Sequence, residues 1–266
     1  MSPAPVKFSL AAIVAQKLYY GPFRRVFRWL VSRIAGDPAQ RRILLGPLRG
    51  ARWFANEMSC ALGVYEMGVQ DQILQHVKVG GVFYDIGANR GFFSLLAARL
   101  VGEQGRVFAF EPFPANVAQL KRLFAENQLN TVTLVPKAVA QQTGTTEIFA
   151  QDTGTQADGV MATLLERPGD KPIAIETLTL DEFIAQHPAP HFVKMDIEGA
   201  EVLALKGAQK LLAQPAPITW LIECHSAQLE SEVAELLQAH GYATRIIAPK
   251  FVSQRAADRH LLAWKN

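Results

Sequence analysis

An acidic residue and two glycines occupy the point where a short apolar run gives way to a helical pattern. Asp85 lies in the run 82–86, Gly87 and Gly91 bracket a turn, and apolar residues recur at helical spacing from Phe92 onward. Strand, glycine turn and helix in this order are typical of a nucleotide-type binding unit. Glycine lets a ligand approach where a Cβ would block it, and free N–H groups at the helix start would face that ligand.

The charge of this turn favours a cationic cofactor. A dinucleotide fingerprint requires G-x-G-x-x-G, and here Asp85 stands where the first glycine would be. A carboxylate at that point would repel a pyrophosphate but suits a cation, and S-adenosylmethionine (SAM) carries an ammonium and a sulfonium and no phosphate. Glu111 closes the next apolar run, about 20 residues further on, where a ribose-binding acid is expected. We therefore predict a SAM site; the alternatives are a dinucleotide site with an unusual turn, or two acids that merely cap helices.

Two further residues are candidates for the cofactor site. Glu66 lies near the start of a predicted helix over 65–77. Its carboxylate could reach the amino group of the ligand. Equally, Glu66 could lie there only because a negative charge near a helix N-terminus is stabilised by the helix dipole. Ala138, which follows the third predicted strand over 132–136, is also counted among the cofactor-binding candidates.

A second charged cluster follows two later strands. Lys194 and Asp196 end one predicted strand, and Glu223 and His225 end the next. Charged groups at the carboxyl ends of strands lie in the crevice where doubly wound sheets bind ligands. Because its strand should neighbour the strand of Asp85, Asp196 is expected to face the reactive end of the cofactor.

Methyl transfer to a hydroxyl suits this second cluster. The attacking oxygen must lose its proton, and a carboxylate or imidazole within hydrogen-bond reach could take that proton. We name Asp196, Glu223 and His225 as candidates for this base, and Lys194 as a cation that keeps an acid charged or stabilises a developing alkoxide. The same acids could instead bind a hard cation such as Mg²⁺ and orient a diol, but no spacing here is diagnostic of a metal, so a metal site is not favoured.

Several other polar residues have simpler explanations. Glu201 opens a predicted helix, where an acid favours the dipole, and is as readily structural as functional. Cys60 and Cys224 are the only cysteines, which fits a reducing compartment, and Cys224 is expected to be a small buried hydrophobe. Five histidines are expected at the surface or in packing: His76, His187, His191, His240 and His260.

Alternating strand and helix patterns organise the chain from residue 82 onward. The predicted elements cover 82–86, 91–101, 106–110, 114–127 and 132–136, then 191–196, 200–212, 219–224 and 228–240, with final strands over 242–248 and 261–265. Such alternation implies a parallel sheet with right-handed crossovers. Residues 140–180 interrupt it with β-like runs at 146–150 and 173–180. We predict an antiparallel insertion there, with a loop near 152–159, that covers the site.

Charge is distributed unevenly along the chain. The 266 residues suffice for one α/β domain with an extension, and 49% of them are hydrophobic. Residues 1–52 hold ten Lys or Arg and one acid, whereas the remainder holds 17 basic and 23 acidic residues. This polarity predicts an anionic partner for the N-terminus, either a membrane surface or an acidic substrate.

Residues 7–35 are predicted to form two helices that separate at Gly21-Pro22. The second helix has apolar residues on one face and arginines mostly elsewhere, but the apolar stretch is too short to span a bilayer. It either lies in a membrane interface or packs on the catalytic domain or a second subunit, and packing is favoured because apolar helix faces are usually core. Residues 1–58, which include a predicted hairpin over 41–56, are assigned to an N-terminal extension.

Four stretches of the chain resemble the FkbM family of SAM-dependent methyltransferases. They are Phe83-Tyr84-Asp85-Ile86-Gly87-Ala88-Asn89-Arg90-Gly91, Phe110-Glu111-Pro112, Leu178-x-Leu180-Asp181 and Lys194-Met195-Asp196-Ile197-Glu198-Gly199-Ala200-Glu201. The last stretch is the specific one, because many methyltransferases share the glycine turn. The resemblance covers about residues 60–225 and implies a seven-stranded sheet with a reversed last hairpin. It also implies that Asp85, Gly87, Asn89, Gly91 and Glu111 bind SAM, with Asp196 close to the methyl group.

These observations predict a cytoplasmic α/β protein with a Rossmann-like, doubly wound, mostly parallel seven-stranded sheet over residues 59–266. By the resemblance, it would O-methylate a hydroxyl of a sugar, polyketide or lipid-like small molecule. No nucleic-acid partner is expected, while a homodimer and peripheral contact with the inner membrane surface are left open. Two rivals differ in class. One is a non-catalytic SAM-binding or membrane-docking module, and the other is an NAD-dependent oxidoreductase, against which Asp85 argues.

Overall fold

A computed structural model of the chain describes residues 8–34, 37, 41–151, 170–247 and 259–265. The helices and strands follow one another as α1 Leu10–Tyr20, α2 Arg24–Ile34, α3 Met58–Leu62, α4 Met67–His76, β1 Val82–Ile86, α5 Phe92–Val101, β2 Arg106–Phe110, α6 Pro114–Glu126, β3 Val132–Val135, β4 Ala138–Val139, β5 Gly144–Gln151, β6 Asp170–Leu178, α7 Leu180–Phe183, β7 Phe192–Met195, α8 Glu201–Lys206, α9 Gln209–Leu212, β8 Thr219–Cys224, α10 Ala227–Ala239, β9 Ala243–Ile246 and β10 Arg259–Trp264.

Seven strands form the central sheet in the order β3-β2-β1-β7-β8-β10-β9. Strands β1, β2, β3, β7 and β8 are parallel, and β10 runs antiparallel to both β8 and β9. This confirms the predicted doubly wound sheet with a reversed last hairpin. Successive residues of a strand face opposite sides, so a strand covered on both sides is apolar throughout. Accordingly every residue of β1 is buried, with Phe83 in one core cluster and Tyr84 in the other.

The strand order reverses beside β1, and the site forms at this point. Strand β1 pairs with β2 on one side and with β7 on the other, which places Asp85 opposite Ala109 and Lys194. The carboxyl ends of these strands therefore meet at one edge of the sheet, where open α/β sheets bind their ligands. Strands β1, β2 and β8 begin and end at the predicted residues, and the other main-sheet strands differ only at their ends.

The predicted insertion is a second sheet with the strand order β4-β6-β5. Strands β5 and β6 pair antiparallel, and β4 pairs parallel with the end of β6. The loop predicted near 152–159 lies outside the described residues. The prediction that the second β run reaches Leu180 is wrong, because Leu180 begins α7. The hydroxyl of Thr179 accepts a hydrogen bond from the backbone N–H of Glu182 and so caps that helix.

The single helix predicted over 200–212 is divided into α8 and α9. A Cβ built on Gly207 would lie 2.1 Å from the carbonyl oxygen of Ala140. The two segments therefore approach each other more closely than any residue with a side chain would allow. The carboxylate of Asp181 accepts hydrogen bonds from Lys210 N at 2.9 Å and Leu211 N at 3.0 Å at the start of α9. Contacts distant in sequence therefore accompany the division of the helix.

The two N-terminal helices differ in how they meet the rest of the protein. Helix α1 buries Ala15 and Tyr19 in a cluster with Met67, whereas Val31 is the one residue that α2 buries. Packing on the domain therefore describes α1 and one edge of α2, while packing of the rest of α2 on a second subunit, the other form of the favoured prediction, stays a prediction. Among the described residues, no helix has both the length and the apolar character needed to cross a membrane.

Residues 41–56 form a short, irregular hairpin, as predicted, in which Ile43 N donates to Ala51 O at 2.8 Å and Trp53 N donates to Arg41 O at 3.0 Å. One antiparallel bridge joins Arg42 and Arg52. Asn127, which follows α6, accepts a hydrogen bond from Arg52 N at 2.8 Å and donates one to Arg52 O at 3.1 Å. The segment is thus attached to the catalytic domain, and it leads into α3, a short helix that the sequence pattern did not predict.

Candidate active site

A cavity opens at the carboxyl ends of β1 and β2. About 950 Å³ of space lies between its lining atoms, part of it open to solvent. Gly87, Asn89 and Glu111 line it from the central sheet, and Thr146 and Ile175 line it from the second sheet. The insertion predicted to cover the site therefore supplies one of its walls.

The glycine turn after β1 is shaped by contacts within the protein. Gly87 and Gly91 have φ of +78° and +82°, a region that glycine adopts without strain. A Cβ on Gly87 would lie 1.9 Å from the carbonyl oxygen of Asp196, and a Cβ on Gly91 would lie 2.6 Å from a methyl carbon of Leu120. Both glycines are thus required by close packing of the chain itself. Gly87 lines the cavity and Gly91 does not, so contact between Gly91 and the cofactor stays a prediction.

Glu111 ties the glycine turn to the end of β2. Its buried carboxylate accepts hydrogen bonds from the backbone N–H groups of Asn89 at 2.8 Å and Phe113 at 2.9 Å. Burial raises the pKa of Glu111 to about 7. Because the side chain also lines the cavity, it both holds the turn in shape and offers a carboxylate to a ligand.

Asp85 faces a lysine of the chain itself. Its fully buried carboxylate accepts a hydrogen bond from the hydroxyl of Ser94 at 2.5 Å and lies 4.0 Å from Lys194 Nζ. Burial raises the pKa of Asp85, and Lys194 and Ser94 oppose that shift. Asp85 is not among the cavity residues, so the cation beside this carboxylate is Lys194, and direct contact with the cofactor stays a prediction.

Lys194 is the centre of a buried charge network. Its Nζ lies 3.5 Å from Asp196 Oδ2 and donates a hydrogen bond to Gly87 O at 3.4 Å. Burial alone would lower the pKa of Lys194, but Asp196 and Asp85 outweigh it and raise that pKa. Burial alone would raise the pKa of Asp196, but Lys194 and His225 outweigh it and hold that pKa well below its usual range. Lys194 and Asp196 are therefore both charged at neutral pH.

His225 pairs with Asp196 from the end of β8. Its Nε2 lies 3.3 Å from Asp196 Oδ1 and 3.9 Å from Glu201 Oε1, and its Nδ1 lies 4.0 Å from Glu223 Oε1. The carboxylate of Asp196 raises the pKa of His225 to about 9, against the effect of burial. The imidazole therefore carries a proton at neutral pH, which makes it a charge partner of Asp196 and argues against His225 as the resting base.

Glu201 closes the loop between β7 and α8. Its buried carboxylate accepts hydrogen bonds from Ile197 N at 3.1 Å and Gly199 N at 3.3 Å. Glu198, which lies in this loop and lines the cavity, has a φ of +53°, an uncommon conformation that surrounding contacts must hold. Of the two explanations of Glu201, these contacts favour the structural one.

Glu66, Glu223 and His260 form a second cluster, one member of which the sequence pattern did not identify. One ligand atom from each residue lies within 4.8 Å of the others, and His260 Nε2 lies 3.3 Å from Glu223 Oε2. The side chain of Glu66 makes no capping hydrogen bond to α4. Burial, and to a smaller extent the charge of Glu223, raises the pKa of Glu66 to about 7. The expectation that His260 is a surface or packing residue is wrong. No local pattern could have indicated its position, because His260 lies opposite Glu223 only through the antiparallel pairing of β10 with β8.

The other expected packing residues do pack. The four remaining histidines contact a ring or a backbone group: His76, His187, His191 and His240. Cys224 is buried, and burial raises the pKa of its thiol to about 12. These residues therefore have no part in the site described so far.

The predicted site residues divide into two groups around Asp196. Those that line the cavity are Gly87, Asn89, Glu111, Ala138 and Asp196. Those in the charged clusters beside it are Glu66, Lys194, Glu223 and His225. Among the described residues, two groups have donor atoms spaced as metal ligands would be, namely Glu66 with Glu223 and His260, and Asp196 with Glu198 and His225. The second group contains an imidazole that is protonated at neutral pH, which is unfavourable for a ligand.

Comparison with known proteins identifies the family. Residues 85–244 match the family described as the methyltransferase FkbM domain. The chain is 26% identical over 184 residues to the hexuronic acid methyltransferase AglP of Haloferax volcanii, a match that covers 67% of this chain and 72% of that protein. The crystal structure of methyltransferase FkbM from Methylobacillus flagellatus KT aligns with a TM-score of 0.51 at 19% identity, over 69% of this chain and 43% of that one. The match thus spans less than half of that solved structure.

The fold is that of class I SAM-dependent methyltransferases. More narrowly, the chain belongs to the FkbM methyltransferase family. The cavity fits SAM on two grounds: Glu111 and Asp196 bring carboxylates to its wall, and Ile86, Phe110 and Ile148 provide apolar surface. Carboxylates suit ribose hydroxyls and a sulfonium cation, and apolar walls suit a flat base. SAM is therefore the cofactor of this fold, and the NAD alternative is not retained.

Proposed function

We propose that the chain is a SAM-dependent O-methyltransferase that acts on a hydroxyl of a sugar or sugar-like small molecule. The observation that carries this proposal is the position of Asp196. Asp196 lines the cavity, and its carboxylate is 3.5 Å from Lys194 Nζ and 3.3 Å from His225 Nε2. An ionised acid, flanked by two cations, thus lies where the cofactor cavity meets the charged clusters.

In this proposal the cavity residues hold the cofactor. Glu111 would accept hydrogen bonds from the ribose hydroxyls, the turn at Gly87 and Asn89 would contact the amino-acid part, and Ala138 would contact the base. When bound, SAM supplies an electrophilic methyl group on a sulfonium centre. The ionised carboxylate of Asp196 favours a cation at this end of the cavity, which is the reason that we place the reactive end there.

Asp196 would accept the proton of the acceptor hydroxyl late in the reaction, when the new O–C bond has made that proton strongly acidic, because a carboxylate whose pKa is held low is a weak base toward a free hydroxyl. Lys194 and His225 keep its carboxylate ionised and fixed in place before the reaction, so little reorganisation is needed when charge develops. His225 already carries a proton at neutral pH, because its pKa is raised to about 9 by Asp196. It therefore orients and neutralises Asp196 rather than accepting the first proton.

Glu66 is the second choice for the base. Burial and Glu223 raise the pKa of Glu66 to about 7, and a group with a pKa near the working pH exchanges protons most effectively. One of its carboxylate oxygens is buried without a hydrogen-bond partner. Glu223, the remaining candidate, is held by His260 at 3.3 Å, which favours a positioning role for it.

Two observations support the sugar-type acceptor. The relative from Haloferax volcanii is by name a hexuronic acid methyltransferase, and a hexuronic acid carries several hydroxyls beside its carboxylate. In addition, the second sheet contributes Thr146 to the cavity lining, and a threonine hydroxyl can bind polar groups. Polyketide and lipid-like hydroxyls are the alternative acceptors for the same reaction.

The experiment begins with calorimetric titration of the purified chain with SAM, S-adenosylhomocysteine and NAD. Deuterated-methyl SAM is then incubated with the enzyme and a panel of hexuronic acids, neutral glycosides and polyketide alcohols, and products are detected by mass spectrometry. We expect micromolar binding of both adenosyl ligands and transfer of the labelled methyl to a sugar. Mild alkali separates the outcomes, since a methyl ether survives it and a methyl ester of the carboxylate does not. A parallel reaction with EDTA tests whether a metal is needed.

Three results would overturn parts of the proposal. Binding of NAD without SAM would reject the cofactor. An alkali-labile product would move the acceptor oxygen from a hydroxyl to a carboxylate. Tight SAM binding without transfer to any acceptor class would favour the non-catalytic SAM-binding alternative, for which Asp196 would be a cofactor ligand only.

A further inference from the structure

The exposed apolar surface is concentrated on the first two helices. Ten large apolar side chains are exposed among the described residues, and seven of them lie within residues 10–34: Leu10, Val14, Phe23, Val26, Trp29, Leu30 and Ile34. Phe23 exposes 69% of its surface, Ile34 exposes 71% and Trp29 exposes 56%. Apolar groups gathered in this way mark an interaction surface rather than the scattered exposure of an ordinary monomer.

Helix α2 has an apolar side that basic residues flank. At about 100° per residue, Val26 and Leu30 lie about 40° apart on one side of the helix, and Arg25 and Arg33 lie along one flank of that side. A separate edge carries Val31, the residue of α2 that is buried. The helix therefore contacts the rest of the protein along one edge and leaves its broad apolar side exposed.

The orientation of α2 is determined by contacts with α1. Arg28 Nε donates a hydrogen bond to the carbonyl of Tyr19 at 3.2 Å, and its guanidinium carbon lies 4.5 Å from the centre of the Tyr19 ring. Tyr19 is itself buried, in a cluster with Val31 and Met67. Because the two helices are attached to the domain through this cluster, the exposed apolar side is a feature of the folded chain.

The charge of this segment indicates what covers it. Residues 8–34 contain Lys17, Arg24, Arg25, Arg28 and Arg33 and no acidic residue. A second copy that covered the surface symmetrically would bring these like charges together, which is unfavourable. An anionic bilayer surface offers negative charge and apolar depth at the same place.

We propose that α1 and α2 dock the chain on a membrane surface rich in anionic lipid. The apolar side of α2 lies in the interface, Trp29 lies at the level of the headgroups, and Arg25 and Arg33, on the flank of that side, face the anionic phosphates. This inference depends on the N-terminal helices alone, so it stands or fails independently of the proposed methyl transfer.

Sedimentation of the full chain with vesicles tests the proposal. Vesicles of phosphatidylcholine are compared with vesicles in which part of it is replaced by phosphatidylglycerol, and we expect at least about tenfold tighter binding to the anionic ones. Trp53 and Trp220 are buried and Trp29 is exposed. Insertion of α2 should therefore shift tryptophan emission to the blue, and the Trp29→Phe variant should lose that shift.

Two double variants separate the charge contribution from the apolar one. Arg25→Glu with Arg33→Glu, and Val26→Ser with Leu30→Ser, should each weaken binding to anionic vesicles at least about tenfold. All four positions are exposed, so thermal unfolding should be unchanged. Arg28 is left intact in both variants because it also contacts Tyr19.

The matched control reverses Arg99 and Lys206, two exposed basic residues of the catalytic domain, and should bind as the wild type does. The proposal is wrong if the chain does not bind anionic vesicles, if neutral vesicles bind it equally, or if the control weakens binding as much as the helix variants do. A concentration-dependent dimer that Val26→Ser with Leu30→Ser disperses, in a chain without vesicle binding, would assign the surface to a second copy instead.

Discussion

The candidate site has two halves, one on each side of Asp196, and they are built from different interactions. In the cofactor half, hydrogen bonds of backbone groups hold the turn in shape. Gly87 N donates to Phe110 O at 3.0 Å, and the Glu111 carboxylate accepts from two backbone N–H groups. In the other half, side-chain charges pair with one another, as His225 does with Asp196 at 3.3 Å and His260 does with Glu223 at the same distance.

Because of this difference, the two halves of the site should respond to different kinds of substitution. A turn defined by backbone contacts and left-handed glycines depends on shape, so a single added carbon disturbs it. A cluster of titratable side chains depends on charge, so an isosteric change or a change of pH disturbs it. The cofactor half should therefore respond to changes in volume, and the charged half to changes in charge at constant volume.

The largest effect is expected from Gly87→Ala. Its Cβ would lie 1.9 Å from the carbonyl oxygen of Asp196, at a φ of +78°, so the loop that carries Asp196 must move. We expect a loss of about 3 kcal/mol or more in the free energy of unfolding, measured by urea denaturation. Gly80→Ala is the matched control, since Gly80 has a φ of +76° with nothing near its Cβ position. Equal losses in the two variants would show that only backbone strain matters at the turn.

Asp196→Asn changes charge at constant shape in the other half. We expect kcat to fall by about a hundredfold or more, because the amide cannot take the proton of the acceptor and leaves Lys194 and His225 with fewer counter-charges. The affinity for S-adenosylhomocysteine, measured by calorimetry, should change far less than kcat does. Glu103→Gln, at an exposed acid, serves as control. A near-normal kcat for Asp196→Asn would remove it as the base and turn attention to Glu66.

The pH dependence of stability tests the charge pairing of His225. Its pKa is raised to about 9 in the folded chain, above the unfolded value of about 6.5. The contribution is therefore fully present below pH about 6.5 and is lost as the pH rises through about 9, which lowers the free energy of unfolding on the order of 2 kcal/mol. Asp196 stays ionised throughout this range, since its pKa is lowered.

The measurement compares urea unfolding of the wild type and His225→Gln at neutral pH and at pH about 9.5. The variant should lose less stability over this interval. The pKa of His260 is also raised, since Glu223 outweighs the effect of burial, so His260→Gln is the companion variant that reports its share. If His225→Gln shows the full decrease of the wild type, the imidazole is not the group that titrates.

The smallest effect is expected from Glu111→Gln in the cofactor half. The substitution keeps the volume of the side chain but leaves one oxygen to serve two backbone N–H groups and a ligand. We expect the Kd for S-adenosylhomocysteine to rise about tenfold, since hydrogen bonds to a charged acceptor are stronger than those to a neutral one. Glu126→Gln, at an exposed ion pair with Arg52, is the control. An unchanged Kd would mean that Glu111 shapes the turn without contacting the ligand.

Much of the fold follows from local patterns in the sequence. Strands β1, β2 and β8 are mostly apolar runs of the kind that a strand covered on both sides requires, and their predicted bounds match the observed ones. The division of the predicted helix into α8 and α9 could not be predicted in this way. The division occurs at Gly207, which lies close to the carbonyl oxygen of Ala140, a residue far away in sequence. The partner of the exposed side of α2 could not be predicted for a related reason: periodicity identifies an apolar face but not what covers it.

Local sequence patterns are enough to predict the alternating sheet and the position of acidic residues at its carboxyl edge, since strand periodicity and the glycine turn are short-range features. Asp85, Glu111 and Asp196 could be placed at that edge for this reason. Which charged side chains lie within interaction distance depends on the tertiary structure. Lys194 lies between Asp85 and Asp196 because β7 pairs with β1, and His260 reaches Glu223 because β10 returns antiparallel beside β8. Electrostatic partners are set by distance in space, and pairing between strands that are remote in the chain is what brings them within range.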